Sequence, residues 1–186
     1  MRLFSVNLAF VFVMETIAVW MANNGKYNVQ LYNILSSIEI MFFLWFFMQI
    51  IDNTAVKRII KITIIIYPLI VLANKFLVQK GLQYHSLTAG LGGLLVVVAA
   101  VYYFFELFDS DKIINLVREP AFWISSGLLF FYSCSFPLFT LITFFYSPSD
   151  SIIFYLADIS SVLNILLYSS FIVAFLCRIK IRKFSL

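Results

Sequence analysis

Three acidic residues lie inside otherwise apolar stretches of this sequence, and they are the side chains best suited to chemistry. Glu15, Glu39 and Asp158 each stand in a long run of aliphatic and aromatic residues. An ionised side chain at the centre of a membrane span costs about 3 kcal/mol on insertion scales. Since no Lys or Arg lies at the same depth, each acid should be protonated, hydrogen-bonded to neutral groups, or bound to a cation.

Neutral polar side chains share helix faces with these acids. Tyr32, Ser36 and Glu39 recur at positions i, i+4 and i+7, which is one face of a helix, and Asn33 widens it. The candidates for binding a ligand or cation are Glu15, Glu39, Asp158, Tyr32, Asn33, Ser36 and Asn164.

Two interpretations of these polar faces remain open. In one, they line an outward-opening cavity between the first, second, fifth and sixth apolar runs. In the other, they form interhelical hydrogen bonds, each worth about 0.6 to 2 kcal/mol, that hold a helical bundle together.

The remaining reactive residues form no recognisable catalytic or metal-binding set. His85 is the single histidine, and Cys134 and Cys177 have no partner at metal-ligand spacing. Glu106 should reach water or pair with Lys112 or Arg118. We therefore predict no catalytic residue, no metal site, no cofactor and no enzymatic activity.

The composition explains where these residues must lie. Of 186 residues, 63% are hydrophobic and 12% are charged, whereas soluble domains have roughly half apolar and about a quarter charged residues. A membrane-spanning helix needs about 20 apolar residues. We predict an all-α polytopic membrane protein, a single domain in which six transmembrane helices are joined by short loops, with spans at residues 3–22, 29–51, 59–76, 86–108, 121–146 and 152–177. The first run is too long for a signal peptide and carries Glu15.

The distribution of Lys and Arg predicts the orientation. With six spans, Lys26, Lys75 and Lys80 fall on one side, and the other ten of the 13 basic residues fall on the opposite side. Basic residues concentrate in cytoplasmic loops, so both termini should face the cytoplasm of a bacterial inner membrane. The same rule explains the basic pI without a nucleic-acid partner. The basic tail Arg178–Lys183 could also contact anionic lipid or a cytoplasmic protein.

Three segments resemble a group of small multipass membrane proteins of Bacteroidota. They are Tyr27–Glu39, Phe122–Tyr132 and Leu163–Cys177, which share apolar patterning and a few polar anchors with that group. No activity is established for the group, so the resemblance assigns no functional residue. Some members carry one more span, which leaves open a seventh span at the native N-terminus.

Two classes of function follow from these expectations. The first is a non-enzymatic membrane sensor or accessory subunit with a polar cavity in its outer half. The second is a small transporter or an ion- or proton-conducting protein that uses Glu39 and Asp158. The expected partners are the lipid bilayer, a cytoplasmic protein and a second copy of the chain. The second copy is expected because the small residues of Ala89–Gly93 favour close helix packing.

Overall fold

A computed structural model describes residues 2–79, 84–109, 115–144 and 150–184 of the chain, and all of its regular elements are helices. Side chains are described for residues 3–79, 84–109, 115–137 and 158–177. The long helices are α1 (Arg2–Asn23), α2 (Val29–Ile50), α3 (Thr54–Ala73), α4 (Ser86–Asp109), α5 (Pro120–Phe144) and α6 (Asp150–Phe184). A π-helical turn (Asn74–Val78) continues α3, and a 3-10 turn (Leu116–Arg118) precedes α5. The predicted all-α fold is confirmed.

By length and composition, four stretches of the described chain can cross a membrane. They are Leu3–Asn23, Val29–Ile50, Ser86–Asp109 and Asp158–Cys177. The third helix differs because Lys57, Arg58 and Lys61 lie in its first turns. It also begins earlier than the predicted residue 59, since the side chain of Asn53 caps it by accepting from the backbone N–H groups of Ala55 and Val56. The chain is therefore compatible with an integral membrane protein.

The contacts fix the relative directions of the helices. At one end of the bundle, Glu106 near the end of α4 bonds to Asp52, just after α2. At the other end, the N–H of His85, just before α4, donates to Oδ1 of Asn33 near the start of α2 at 2.9 Å. The second and fourth helices are therefore parallel, and α3 returns the chain over the full length between them.

The last two helices continue this up-and-down arrangement. Phe122 at the start of α5 packs on Phe104 near the end of α4, with ring centroids 5.7 Å apart. Further along α5, Phe136 lies against Gly90 near the start of α4. At the other end of the chain, Sγ of Cys177 donates to the carbonyl of Val117 at 3.2 Å. Thus α5 runs antiparallel to α4, and α6 returns to the end where α5 begins.

Aromatic rings fill the centre of the bundle between α1, α2 and α6. Phe4 packs edge-on against Phe171 with centroids 4.9 Å apart, and it also contacts Phe43 at 6.5 Å. All three side chains are buried. Edge-to-face aromatic pairs add about 0.5–1.5 kcal/mol beyond the burial of their area. This ring cluster ties the first helix to the rest of the bundle.

Glu106 stabilises the turn between α2 and α3. One carboxylate oxygen accepts from the N–H of Asp52 at 2.7 Å, and the other accepts from the N–H of Asn53 at 2.8 Å. These N–H groups belong to the few residues between two helices, where no intrahelical carbonyl is available to them. The sequence predicted that Glu106 reaches water or pairs with Lys112 or Arg118; among the described residues its carboxylate instead accepts from these two backbone groups. Lys112 lies outside the described residues, so a pairing with it stays a prediction.

Replacing this carboxylate should weaken the bundle. We expect Glu106→Ala to lower the free energy of unfolding by about 2 kcal/mol, since hydrogen bonds to a charged group are worth about 1.5–3 kcal/mol. Glu106→Gln keeps one acceptor oxygen and should lose about half as much. Unfolding in mixed micelles, followed by tryptophan fluorescence, measures both changes. The control is Asp109→Asn, one turn further on at an exposed position; an equal loss there would contradict this role.

The fifth and sixth helices approach closely at Gly127. A Cβ atom on Gly127 would lie 2.9 Å from the Cβ of Ser170, which is fixed to its own backbone and cannot move aside. At Gly90 an added Cβ would instead meet the ring of Phe136 at 3.5 Å, an ordinary contact distance. Gly127 is therefore required by packing, whereas Gly90 tolerates a methyl group.

This pair of glycines provides a matched test of packing. We expect Gly127→Ala to destabilise the protein by about 1–3 kcal/mol, the usual range for overpacking a tight interface. Gly90→Ala should change stability by less than about 1 kcal/mol in either direction. The same unfolding titration measures both variants, and similar losses at both positions would argue against a special contact at Gly127.

Candidate functional site

A cavity of about 370 Å³ lies where α1, α2 and α6 meet, and we refer to it as the polar chamber. Its lining side chains are those of Glu15, Val29, Tyr32, Leu35, Ser36, Glu39, Tyr84 and Asn164. Five of the seven candidate residues from the sequence are in this set: Glu15, Tyr32, Ser36, Glu39 and Asn164.

The helical repeat of α2 determines much of this lining. Tyr32, Ser36 and Glu39 occupy one helix face, as their spacing predicted, and this face points toward α1 and α6. The hydroxyl of Tyr32 donates to a carboxylate oxygen of Glu15 at 3.1 Å, which connects α2 to α1. Asn164 donates from its amide nitrogen to the carbonyl of Ser160 at 2.9 Å. Its amide oxygen remains an acceptor available to the chamber.

Glu39 differs from Glu15 in its surroundings. Within the described part of the chain, no hydrogen bond joins its carboxyl group to another residue. The group lies one turn before the buried ring of Phe43 and borders the chamber. A carboxyl group in apolar surroundings without a partner is costly, so a bound proton or cation would stabilise it.

A second, smaller cavity of about 140 Å³ adjoins the chamber. Ser36, Glu39 and Tyr84 line both cavities, so the two spaces meet at Glu39. The fifth helix contributes Tyr132 and Ser135 to this smaller cavity rather than to the chamber. The sequence predicted that the fifth apolar run would also line the chamber. Among the described residues, α5 instead lines the smaller cavity beyond Glu39, because it packs on α4 and α6.

Two of the seven candidates lie elsewhere. Asn33 is buried on another face of α2, where it accepts a hydrogen bond from the backbone of His85. Asp158 is exposed near the beginning of the described side chains of α6 and does not line the chamber. Neighbouring positions on a helix point about 100° apart, so Tyr32 and Asn33 face different surroundings.

Tyr84 also lines the chamber, although the sequence did not identify it as a candidate. It lies in the predicted loop before α4, and its hydroxyl group hydrogen-bonds to Ser36. Burial raises the pKa of Tyr84, and the nearby Glu39 carboxyl adds to the rise, so the phenol keeps its proton. No periodicity marks a loop tyrosine as part of a site, because the tertiary fold alone brings it to α2.

Buried aromatic rings lie near one end of the chamber. Phe43, one turn after Glu39 on α2, and Phe171 on α6 are at most 3% exposed. At the other end the lining includes Val29, the first residue of α2. The chamber therefore extends from the α1–α2 turn to Glu39, where the smaller cavity begins.

An apolar crevice continues from the chamber between α1 and α6. It has a volume of about 470 Å³ and shares Glu15 with the chamber. Its other lining residues are aromatic or aliphatic: Leu8, Val11, Phe12, Tyr168, Phe171, Ile172 and Phe175. The first helix is therefore less closely packed along this side. Its contacts with the rest of the bundle include the ring of Phe4, the Glu15–Tyr32 bond and a bond from Asn28 to the carbonyl of Ala18.

The shape and charge of the chamber predict one-sided access. In a chain whose Cys134 and Cys177 are replaced by Ala, we expect Ser36→Cys to react with a membrane-impermeant cationic thiosulfonate added on the side of the membrane where the α1–α2 turn lies. An anionic thiosulfonate should react about tenfold more slowly, because Glu15 and Glu39 border the pocket. Labelling rates in spheroplasts and in inverted vesicles provide the measurement. Ser125→Cys, at a fully buried position, is the unreactive control. Faster reaction of Ser36→Cys from the side opposite the α1–α2 turn would contradict this geometry.

Comparison with known proteins does not assign this chain to a family. No protein-family model matches this chain, and neither a curated protein nor a solved structure matches it. What is established is a helical bundle with four stretches apolar enough to cross a membrane.

Proposed function

We propose that this chain is a non-enzymatic sensor or accessory subunit of the bacterial inner membrane, whose polar chamber receives a small cation from the outer side. The observation that carries this proposal is that Glu15 and Glu39 line one pocket together with the polar side chains of Tyr32, Ser36 and Asn164. No Lys or Arg is among the lining side chains within the described residues.

The proposed topology is six transmembrane helices with both termini in the cytoplasm. The parallel directions of α2 and α4 support it, because α3 must then cross the same thickness in between. The antiparallel packing of α5 on α4 supports the fifth span in the same way, since α5 runs back along the length of α4. The excess of Lys and Arg at the end that holds Glu106 supports a cytoplasmic location for that end.

A cation fits the chamber better than a neutral or anionic ligand. Two carboxyl groups border a small space among apolar helices, and a positive charge there offsets the cost of keeping them ionised. The hydroxyl groups of Tyr32 and Ser36, together with the amide oxygen of Asn164, supply further oxygen acceptors. Oxygen ligands of this kind suit both hard metal cations and ammonium groups.

The Glu15–Tyr32 hydrogen bond offers a route from ligand to signal. A cation that draws the Glu15 carboxylate toward Glu39 competes with the Tyr32 hydroxyl, whose hydrogen bond joins α1 to α2. Because an apolar crevice lies beside Glu15 between α1 and α6, a shift of this part of α1 meets less packing than it would at Phe4. Such a shift would reach the cytoplasmic N-terminus, where a partner protein or a second copy of the chain can respond to it.

We expect a bound cation to stabilise the wild-type protein through Glu39. Purified protein in detergent is heated with sodium, calcium or methylammonium chloride, at an ionic strength matched with N-methylglucamine chloride. A cation at 100 times its Kd should stabilise the fold by about 2.7 kcal/mol and raise Tm by several degrees. Glu39→Gln should lose this increase, whereas Asp158→Asn, outside the chamber, should keep it.

Two results would overturn this proposal. If none of the three cations raises the Tm of the wild type, or if Glu39→Gln responds equally, then the chamber is not a cation site. Flux in proteoliposomes separates sensing from transport: a cation or proton flux that Glu39→Gln abolishes would establish the alternative, a small transporter. The proposal predicts no such flux, because a sensor binds its cation and releases it again on the same side of the membrane.

A further inference from the structure

A second polar cluster lies on a different side of α2, away from the polar chamber. It forms one end of a groove of about 250 Å³ between α2, α3 and the π-helical turn. The polar side chains that line this groove are Gln30, Asn33, Ser37, Lys75 and His85, and the apolar ones are Ile34, Ile38, Met41, Val71 and Leu72. None of the described lining residues is acidic, so the groove has a positive polar end.

His85 provides an unsatisfied polar atom in this groove. Its side chain is only 6% exposed, and Nδ1 has no hydrogen-bond partner among the described residues. The backbone N–H of His85 is held by Oδ1 of Asn33 at 2.9 Å, so the residue is fixed in place. A buried polar atom without a partner costs about 1–3 kcal/mol, which a ligand atom in the groove would recover.

The π-helical turn holds Lys75 beside this histidine. Nδ2 of Asn74 donates to the amide oxygen of Gln79 at 2.9 Å, and Nε2 of Gln79 donates to Oγ of Ser86 at 3.1 Å. This chain of bonds ties the turn to the start of α4. Burial and the charge of Lys75 lower the pKa of His85, so its ring is neutral and has one N–H to donate.

The groove changes from polar to apolar along its length. Gln30, Lys75 and His85 lie at the ends of their helices, whereas Ile38 and Met41 lie deeper along α2. The distance from Gln30 to Met41 is about 16 Å along the helix axis, since each residue rises about 1.5 Å. A phospholipid has the same order, with an anionic phosphate at the interface and an acyl chain that runs toward the bilayer centre.

We propose that this groove binds one phospholipid of the outer leaflet, with its phosphate against Lys75 and His85 and an acyl chain between α2 and α3. The ammonium group of Lys75 and the ring N–H of His85 donate to phosphate oxygens, and the amide of Gln30 supplies a third donor. The apolar side chains below them contact the acyl chain. This site is separate from the chamber, so the cation proposal and the lipid proposal can fail independently.

The test is native mass spectrometry of the purified full chain titrated with phosphatidylglycerol. We expect one lipid to remain bound to the wild type at low micromolar concentration. Lys75→Gln and His85→Leu should each weaken this binding about tenfold, the change expected for the loss of one charge-assisted hydrogen bond. Leu72→Trp, which fills the groove from an exposed position on α3, should weaken it as well.

Lys26→Gln is the matched control for charge. Lys26 is also a basic residue near the proposed outer surface, but its ammonium group lies 4.9 Å from the ring of Trp20 and does not line the groove. This variant should bind the lipid like the wild type. The same titration with inorganic phosphate should not displace the lipid, because a free ion makes no contact with the apolar part of the groove.

Three outcomes would overturn the lipid proposal. Unchanged binding in both Lys75→Gln and His85→Leu would exclude the phosphate contacts. Equal weakening in Lys26→Gln would show general attraction to surface charge. Displacement by inorganic phosphate would assign the site to a soluble anion. Circular dichroism and Tm are measured for every variant, so that unfolding can be excluded as the cause of weaker binding. If the variant at Lys75 or the one at Leu72 fails to fold, the other still tests the groove.

Discussion

A carboxyl group among apolar helices must find a partner, and this requirement organises the structure. Glu106 satisfies it with two backbone N–H groups and thereby fixes the turn between α2 and α3. Glu15 satisfies it with the hydroxyl group of Tyr32 and thereby connects α1 to α2. Glu39 makes no hydrogen bond within the described residues. The three acids thus range from a structural clamp, Glu106, to the proposed cation ligand, Glu39, according to how completely each one is paired.

The shape of the polar chamber follows from two kinds of packing. The ring cluster around Phe4 packs between α1, α2 and α6. At Gly127, by contrast, the lack of a side chain lets α5 and α6 come together. Close contact on one side of α6 and loose contact on the other leave room for the chamber and for the crevice beside α1.

The second helix carries polar residues on two faces, and each face belongs to a different site. Tyr32, Ser36 and Glu39 face α1 and α6, whereas Asn33 and Ser37 face α3 and His85. A helix with polar residues on two sides of an apolar bundle needs partners in both directions. In the functions proposed above, one partner is a cation in the chamber and the other is a phospholipid in the groove.

The sequence by itself determined the helices and the composition of one helix face. Apolar runs of about 20 residues and the spacing of Tyr32, Ser36 and Glu39 are local properties, and the helical repeat converts them directly into structure. Which residues from distant segments join that face was decided by the tertiary structure alone. Packing brought in Tyr84, left Asp158 outside and placed α5 beyond Glu39, and it directed Glu106 to a backbone turn 53 residues away in sequence. The reason is physical: periodicity specifies which side chains share a face, but only interhelical contacts such as those at Gly127 and Phe4 decide what that face meets.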